Sequence, residues 1–121
     1  MNYNGLTLHY FRNAPGAGVL TGPGVFRGAA GNKNHGIWVQ FDLEVRGQAI
    51  SAARFLAFAC PHTIAASAWV VEQAIDLAVG VGLPATTQQL SERFAVPIEK
   101  RGRLLIIEDA WTAAMCAARR Q

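Results

Sequence analysis

The chain has 121 residues, of which 51% are hydrophobic and 16% charged, with a formal net charge of +3. This composition favours one compact domain over residues 1–121 and argues against intrinsic disorder. The basic residues are scattered, so the charge does not indicate a nucleic-acid-binding protein. No signal-peptide pattern is evident, and the longest apolar run, residues 64–83, is interrupted by Glu72 and Asp76. We therefore expect no membrane span and a cytoplasmic protein, with two cysteines too few for a disulfide framework.

The start of the chain predicts a short helix at residues 5–13, followed by a turn region rich in Gly and Pro. A strand is expected within residues 19–27, and a loop rich in turn-forming residues at 30–36. Apolar and polar residues then alternate from Ile37 to Arg46. This period of two predicts a strand with one buried face and one solvent-exposed face.

A short turn after Arg46 predicts an antiparallel hairpin with a second strand at residues 49–58. Pro61 suits the first turn of a helix, which apolar spacing extends to about Gly80. Thr86 and Gln89 resemble a capping box, which predicts a short helix at residues 87–94.

A last helix is expected at residues 103–118, where apolar side chains recur on one side. Strands thus precede most of the helices along the chain. This order indicates an α+β domain in which helices cover one face of a three-stranded antiparallel sheet.

Cys60 stands where the second hairpin strand is expected to enter a helix. Unpaired N–H groups and the helix dipole stabilise a thiolate at such a position, so the pKa of Cys60 should be lowered. His62, two residues further on, is expected to add to this effect. The alternative is that Cys60 is a small, inert core residue. Cys116 is expected to pack in or beside the core on the last helix.

His35 lies in the loop before the alternating strand, where a plain surface role is one interpretation. Neutral imidazole is also a ligand for zinc or iron, so His35 is a candidate metal ligand beside Cys60. A zinc-binding protein using Cys60, His35 and His62 is a further hypothesis. No Cys-x-x-Cys or His-Glu-x-x-His motif is present, and a closed four-ligand site cannot be assembled from this inventory.

The region around Cys60 resembles a known family. It reads Ala53-Arg54-Phe55, three residues, Ala59-Cys60, three residues, then Ile64-Ala65-Ala66-Ser67. It is similar to the second-cysteine region of NifU/IscU-like iron–sulfur cluster assembly scaffolds, which typically reads Asp-Ala-Arg-Phe, three residues, Gly-Cys, three residues, Ile-Ala-Ser-Ser. Residues 9–18 and Glu108-Asp109-Ala110 resemble the two ends of that family. The resemblance implies the IscU/NifU N-terminal-like (SufE/NifU-type) α+β fold over nearly the whole chain.

The resemblance also implies a site built on three cysteines with an Asp and a His nearby. Cys60 matches the middle cysteine. His35 and Ile37 stand where the family has its first cysteine and its aspartate, and Gly102-Arg103 stands in place of its His-Cys pair. A cation at Arg103 disfavours iron and favours a thiolate or a bound sulfur anion.

Residues 96–100 weakly resemble the segment of the family that a dedicated Hsp70-type chaperone recognises. This resemblance makes Lys100 a candidate site residue.

The sequence thus predicts a divergent scaffold or carrier rather than an enzyme, working with a cysteine desulfurase or other cluster-assembly proteins. Cys60 would accept sulfur as a persulfide or serve as one ligand of a shared or transient iron–sulfur cluster. A homodimer that pools Cys60 and His35 from each chain is the less favoured form of this hypothesis. The rival is an interaction module that kept the fold, with Trp38 and Trp69 as candidate anchors, although core packing is favoured for Trp69.

Overall fold

The computed structural model describes residues 3–120 and shows an α+β fold, as predicted. Two single turns of 3₁₀ helix, Lys33–His35 and Ile98–Lys100, occur between the larger elements. No helix in the described part is long and apolar enough to cross a membrane. The larger elements are α1 (Gly5–Asn13), β1 (Val25–Asn32), β2 (Ile37–Arg46), β3 (Ala49–Phe58), α2 (Pro61–Ala74), α3 (Thr87–Arg93) and α4 (Arg103–Arg119).

The three strands form an antiparallel sheet in the order β1-β2-β3, with Phe41 opposite both Gly28 and Phe55. The face of the sheet that carries Val39 and Phe41 is buried beneath the helices. α4 lies across β1 and β2, α2 lies on β3, and α1 packs on α2. A side chain at Gly28 would overlap the backbone of Ala114, so α4 can approach β1 closely only because this residue has no Cβ.

The core includes two tryptophans that belong to helices. Trp111 of α4 is buried, meets Phe41 edge-on with ring centroids 5.7 Å apart, and donates Nε1–H to the carbonyl of Val81 at 3.2 Å. This bond satisfies the one polar atom of a large apolar side chain. Trp69 of α2 is also buried, which confirms the prediction of core packing for this residue.

Several predicted boundaries are confirmed, but two were wrong. β1 begins at Val25, inside the range expected for a strand, but continues to Asn32, into residues that were expected to form a loop. α2 ends at Ala74 rather than near Gly80. The chain leaves the helix there because the N–H of Asp76 donates to the carbonyl of Ile50, and the N–H of Ile50 donates to the carbonyl of Leu77, both at 2.9 Å.

The capping box at the start of α3 is confirmed. Thr86 Oγ1 accepts a hydrogen bond from the N–H of Gln89 at 3.0 Å, and Gln89 Oε1 accepts one from the N–H of Thr86 at 2.8 Å. Both donors would otherwise lack a partner within the helix.

The outer face of the sheet, which points away from the helices, differs from the fully solvated face that alternation predicted. Asp42 on this face is only 1% exposed. The segment at residues 16–24 crosses over it, and the N–H of Leu20 donates to Asp42 Oδ2 at 2.9 Å. Arg27 Nε donates to Asp42 Oδ1 at 2.7 Å. Alternation cannot reveal this burial because the covering segment has no regular pattern of its own.

The substitution Asp42→Asn is expected to lower the free energy of unfolding at neutral pH by about 2–3 kcal/mol, because it leaves the Arg27 charge and the Leu20 N–H with a poorer acceptor. Burial alone would raise the pKa of Asp42, but the bonds from Arg27, Leu20 and Gln40 outweigh it, so this pKa is lowered. Urea unfolding over a range of pH measures the effect, with the exposed Asp76→Asn as the control.

The pH dependence of this difference follows from the lowered pKa. The stabilisation is complete above the pKa of an unfolded aspartate, about 3.9, and it is lost as the pH falls through the lower pKa of the folded state. The stability gap between wild type and Asp42→Asn should therefore shrink in acid. A gap of equal size in strong acid would contradict the assignment.

Candidate functional site

Cys60 lies where β3 passes into α2, and it occupies the N-cap position of that helix. Pro61 takes the first helical position, where its missing N–H costs no helical hydrogen bond. The Cys60 side chain is half-buried, and its Sγ is 3.5 Å from Thr63 Oγ1. The thiol therefore sits over the first turn of a 14-residue helix, within reach of solvent.

Several groups act on the pKa of the Cys60 thiol. Burial is the largest influence and raises this pKa, but it is outweighed by the hydrogen bond with the Thr63 hydroxyl, by the nearby N–H groups of Thr63 and His62, and by the charge of Arg103. The net pKa of Cys60 is lowered. Because the thiolate is the nucleophilic form of cysteine, this environment favours a reactive residue.

His62 differs from the prediction in how it acts. Its N–H points to the thiol, but its imidazole is buried, with a relative exposure of 1%. Burial and then the charge of Lys100 lower the pKa of His62, so the ring stays neutral at physiological pH. The ring meets Tyr3 edge-on at 4.7 Å, and Nδ1 has no hydrogen-bond partner among residues 3–120. His62 therefore contributes no positive charge to the thiolate.

Arg103 and Lys100 place positive charge around this end of the molecule. Arg103 is the first residue of α4 and is half-buried, with its charge acting on Cys60. Lys100 ends the 3₁₀ turn before α4 and acts on His62. Neither cation can ligate a metal ion, whereas both favour an anion.

His35 is exposed and ends the 3₁₀ turn that connects β1 to β2. Trp38 lies opposite Phe58 in the sheet, so the connection that carries His35 lies at the same end as Cys60. Ile37, half-buried, begins β2. The topology thus gathers His35, Cys60 and Arg103 at one end of the domain.

The ligand inventory at this end does not fit an iron–sulfur cluster or zinc held by one chain. In residues 3–120 no group of three or more His, Cys, Asp or Glu side chains lies close enough to hold a metal ion. A [2Fe–2S] cluster needs four ligands, and zinc usually takes three or four from the protein. The zinc hypothesis with Cys60, His35 and His62 gains no support from this geometry.

Cys116 does not lie where the sequence analysis placed it. Packing in or beside the core was predicted, but the side chain is exposed on α4. The buried stripe of that helix includes Ala114, Met115 and Ala118, and Cys116 falls just outside it. Neighbouring alanines had made the exposed and buried sides of α4 hard to distinguish by hydrophobicity.

The substitution Arg103→Gln is expected to raise the pKa of Cys60, because it removes a nearby positive charge that favours the thiolate. Alkylation of Cys60 by iodoacetamide at neutral pH should become about threefold slower. Rates measured against pH in a Cys116→Ser background report Cys60 alone. The exposed neighbour Arg101→Gln is the matched control, and an equal slowing in both variants would contradict a specific role for Arg103.

Two crystal structures of other proteins show the same fold as this chain. A nitrogen-fixing NifU-like protein (N-terminal) from Brucella abortus aligns with a TM-score of 0.74 and 16% identity over 98% of this chain and 94% of that chain. A candidate iron–sulfur cluster assembly scaffold protein for the SUF system from Fervidobacterium islandicum AW-1 aligns with a TM-score of 0.72 and 13% identity over 93% of this chain and 96% of that chain. At these identities the likeness establishes the scaffold-type fold alone.

The family follows from the sequence itself. The model of the NifU-like N terminal domain matches residues 2–120, so the chain belongs to the NifU-like N-terminal domain family. This match confirms the resemblance found around Cys60. No curated protein matches the chain.

Proposed function

We propose that this NifU-like domain is a divergent relative of the cluster-assembly scaffolds that handles sulfur through Cys60, as a carrier rather than as the holder of a cluster. The observation that carries the proposal is the half-buried Cys60 thiol, whose pKa is lowered at the start of α2 beside Arg103. The absence of a three-ligand group in residues 3–120 favours a carrier over a cluster holder.

The proposed step is sulfur transfer from the persulfide of a cysteine desulfurase. The Cys60 thiolate attacks the outer sulfur of that persulfide, and a new S–S bond forms as the old S–S bond breaks. The desulfurase cysteine leaves as a thiolate, and the proton of the persulfide stays with the transferred sulfur or passes to water. Two electrons form one bond and two leave with the other, so no oxidant or reductant is needed.

The residues around Cys60 suit each stage of this exchange. The N–H groups of His62 and Thr63 favour the attacking thiolate. The charge of Arg103, which favours the thiolate of Cys60, would also favour the negative charge on the terminal sulfur of the product persulfide. The neutral imidazole of His62, packed on Tyr3, holds the first turn of α2 in place without competing for this charge.

Intact-mass measurement tests the proposal. The protein is incubated anaerobically with a cysteine desulfurase and cysteine, then analysed without reductant. The expected result is one added sulfur atom, located at Cys60 by peptide mapping and removed by dithiothreitol. Parallel samples with iron should show no visible cluster absorption, whereas a strong cluster band would instead favour ligands shared between two chains. Failure to add sulfur to Cys60 would overturn the proposal.

A further inference from the structure

The outer face of the sheet carries an apolar area beside Cys60 that the helices do not cover. Phe58 and Leu56 of β3 point to this face and are 54% and 37% exposed. Trp38 of β2 lies opposite Phe58 and is half-buried. Val19, 51% exposed, follows Gly18, whose N–H donates to the carbonyl of Phe55. We call Val19, Trp38, Leu56 and Phe58 the outer patch.

The crossing segment borders the outer patch and contributes Val19 to it. The N–H of Leu20 bonds to Asp42, so the half of the outer face around Asp42 is covered by the protein's own chain. The half around Phe58 lacks such a cover among the described residues. Solvent-exposed aromatic and aliphatic side chains that adjoin one another are characteristic of a protein-binding surface.

The border of the outer patch is basic. The Lys33 amine lies over the Trp38 ring, 4.6 Å from its centroid. Arg54 is exposed and pairs in register with Asp42, but Asp42 already forms its ion pair with Arg27. Asp42 is therefore neutralised, which leaves Lys33 and Arg54 as the cations of this border. Glu72 lines the same surface depression as Arg54, but its carboxylate accepts a hydrogen bond from the Tyr10 hydroxyl. A partner surface that matches this border has acidic residues around an apolar centre.

The outer patch is continuous with the thiol. Phe58 precedes Cys60 by two residues, and an extended chain advances about 3.3 Å per residue, so the two Cα atoms are at most roughly 7 Å apart. A partner seated on Phe58 would therefore bring its own reacting group close to Cys60.

We propose that the outer patch docks the protein that exchanges sulfur with Cys60, and that this partner presents an apolar centre bordered by acidic side chains. The inference rests on the proposed function, since it names the surface through which that function is served. Docking holds the donor persulfide next to the thiolate, which replaces a chance encounter by a positioned reaction. The basic border speeds and orients the encounter.

The test compares two sulfur donors in a Cys116→Ser background. One donor is a persulfide-loaded cysteine desulfurase, which must dock, and the other is inorganic polysulfide, which needs no docking surface. Polysulfide donates by the same exchange and leaves one sulfur shorter. Intact mass against time gives the rate of sulfur addition to Cys60 for each donor.

The variants are Phe58→Ser, Lys33→Glu and Arg54→Glu. With the desulfurase, the second-order rate should fall about tenfold for Phe58→Ser and about three- to tenfold for each charge reversal. With polysulfide, the rate for Phe58→Ser should equal that of the unsubstituted background. Raising the salt concentration should narrow the gap between the background and the charge reversals, because screening weakens the attraction that they remove.

Matched controls lie away from the outer patch. Val81→Ser removes another exposed apolar side chain, 38% exposed, and Arg46→Glu reverses an exposed charge at the far end of β2. Both should transfer sulfur at the background rate with either donor. Equal losses in the controls and the patch variants would overturn the docking surface.

The outcomes separate the two proposals. Normal transfer from the desulfurase to all three patch variants would overturn the docking surface and leave Cys60 as the acceptor. No sulfur on Cys60 from either donor would overturn the proposed function and the docking surface together. Light scattering tests whether the outer patch instead binds a second copy of this chain. If the protein is a dimer that Phe58→Ser converts to a monomer, the inference is wrong.

Discussion

A Cys60→Ser variant is expected to take up no sulfur from a cysteine desulfurase, whereas the wild-type protein gains one sulfur atom per chain. Serine keeps the size of the side chain and the start of α2, but its hydroxyl is not ionised at neutral pH and cannot form a persulfide. Intact mass after anaerobic incubation with the desulfurase and cysteine measures the difference.

Cys116→Ser is the matched control for this loss, because it removes the other thiol of the chain and leaves the Cys60 environment unchanged. It should gain one sulfur, as wild type does. Sulfur on Cys60→Ser that disappears only when Cys116 is also replaced would show that the exposed thiol is the acceptor and that the site is misassigned.

Restoring the ligands that the family resemblance implies is expected to turn the domain into a cluster holder. In the triple variant His35→Cys, Ile37→Asp and Arg103→Cys, three thiolates and a carboxylate replace one thiolate, an imidazole and a cation. The structure gathers all four positions at the end of the domain where β3 meets α2. Four ligands of this kind suffice for a [2Fe–2S] cluster.

The gain is measured by visible absorption and by iron and sulfide content after anaerobic incubation with iron, a cysteine desulfurase and cysteine. The triple variant should bind close to one cluster per chain, and wild type should bind almost none. The same triple variant with Cys60→Ser should lose most of this binding. Equal cluster content in wild type and the triple variant would show that Arg103 and His35 do not prevent cluster binding.

The fold was largely predictable from local patterns. The alternation from Ile37 to Arg46 and the Thr86–Gln89 capping box each indicate one structure, because each pattern satisfies the local chemistry by itself. The burial of Asp42 was not predictable, since it depends on a patternless segment that crosses the sheet from elsewhere in the chain. The end of α2 was missed for a similar reason, because Asp76 bonds to a strand 26 residues earlier, at Ile50.

The candidate site shows the same division between local and distant information. The position of Cys60 at a helix N-terminus follows from Pro61 and the apolar spacing after it. The burial of the His62 ring does not, because Tyr3 and Lys100 come from opposite ends of the sequence. Sequence patterns therefore indicated which thiol stands at a helix start, whereas the neutral state of its neighbouring imidazole required the tertiary structure.

The residue at position 60 affects both the stability of the α2 start and the acidity of the thiol. Serine, threonine, asparagine and aspartate are the residues that stabilise a helix start, by about 1 kcal/mol relative to residues that cannot cap. Cys60 occupies the N-cap of α2 without making a side-chain cap hydrogen bond. The N–H groups at this helix start are thus left to stabilise a sulfur anion instead of a capping hydroxyl. The start of α2 thus lacks a capping side chain at the same residue whose thiol its N–H groups make more acidic.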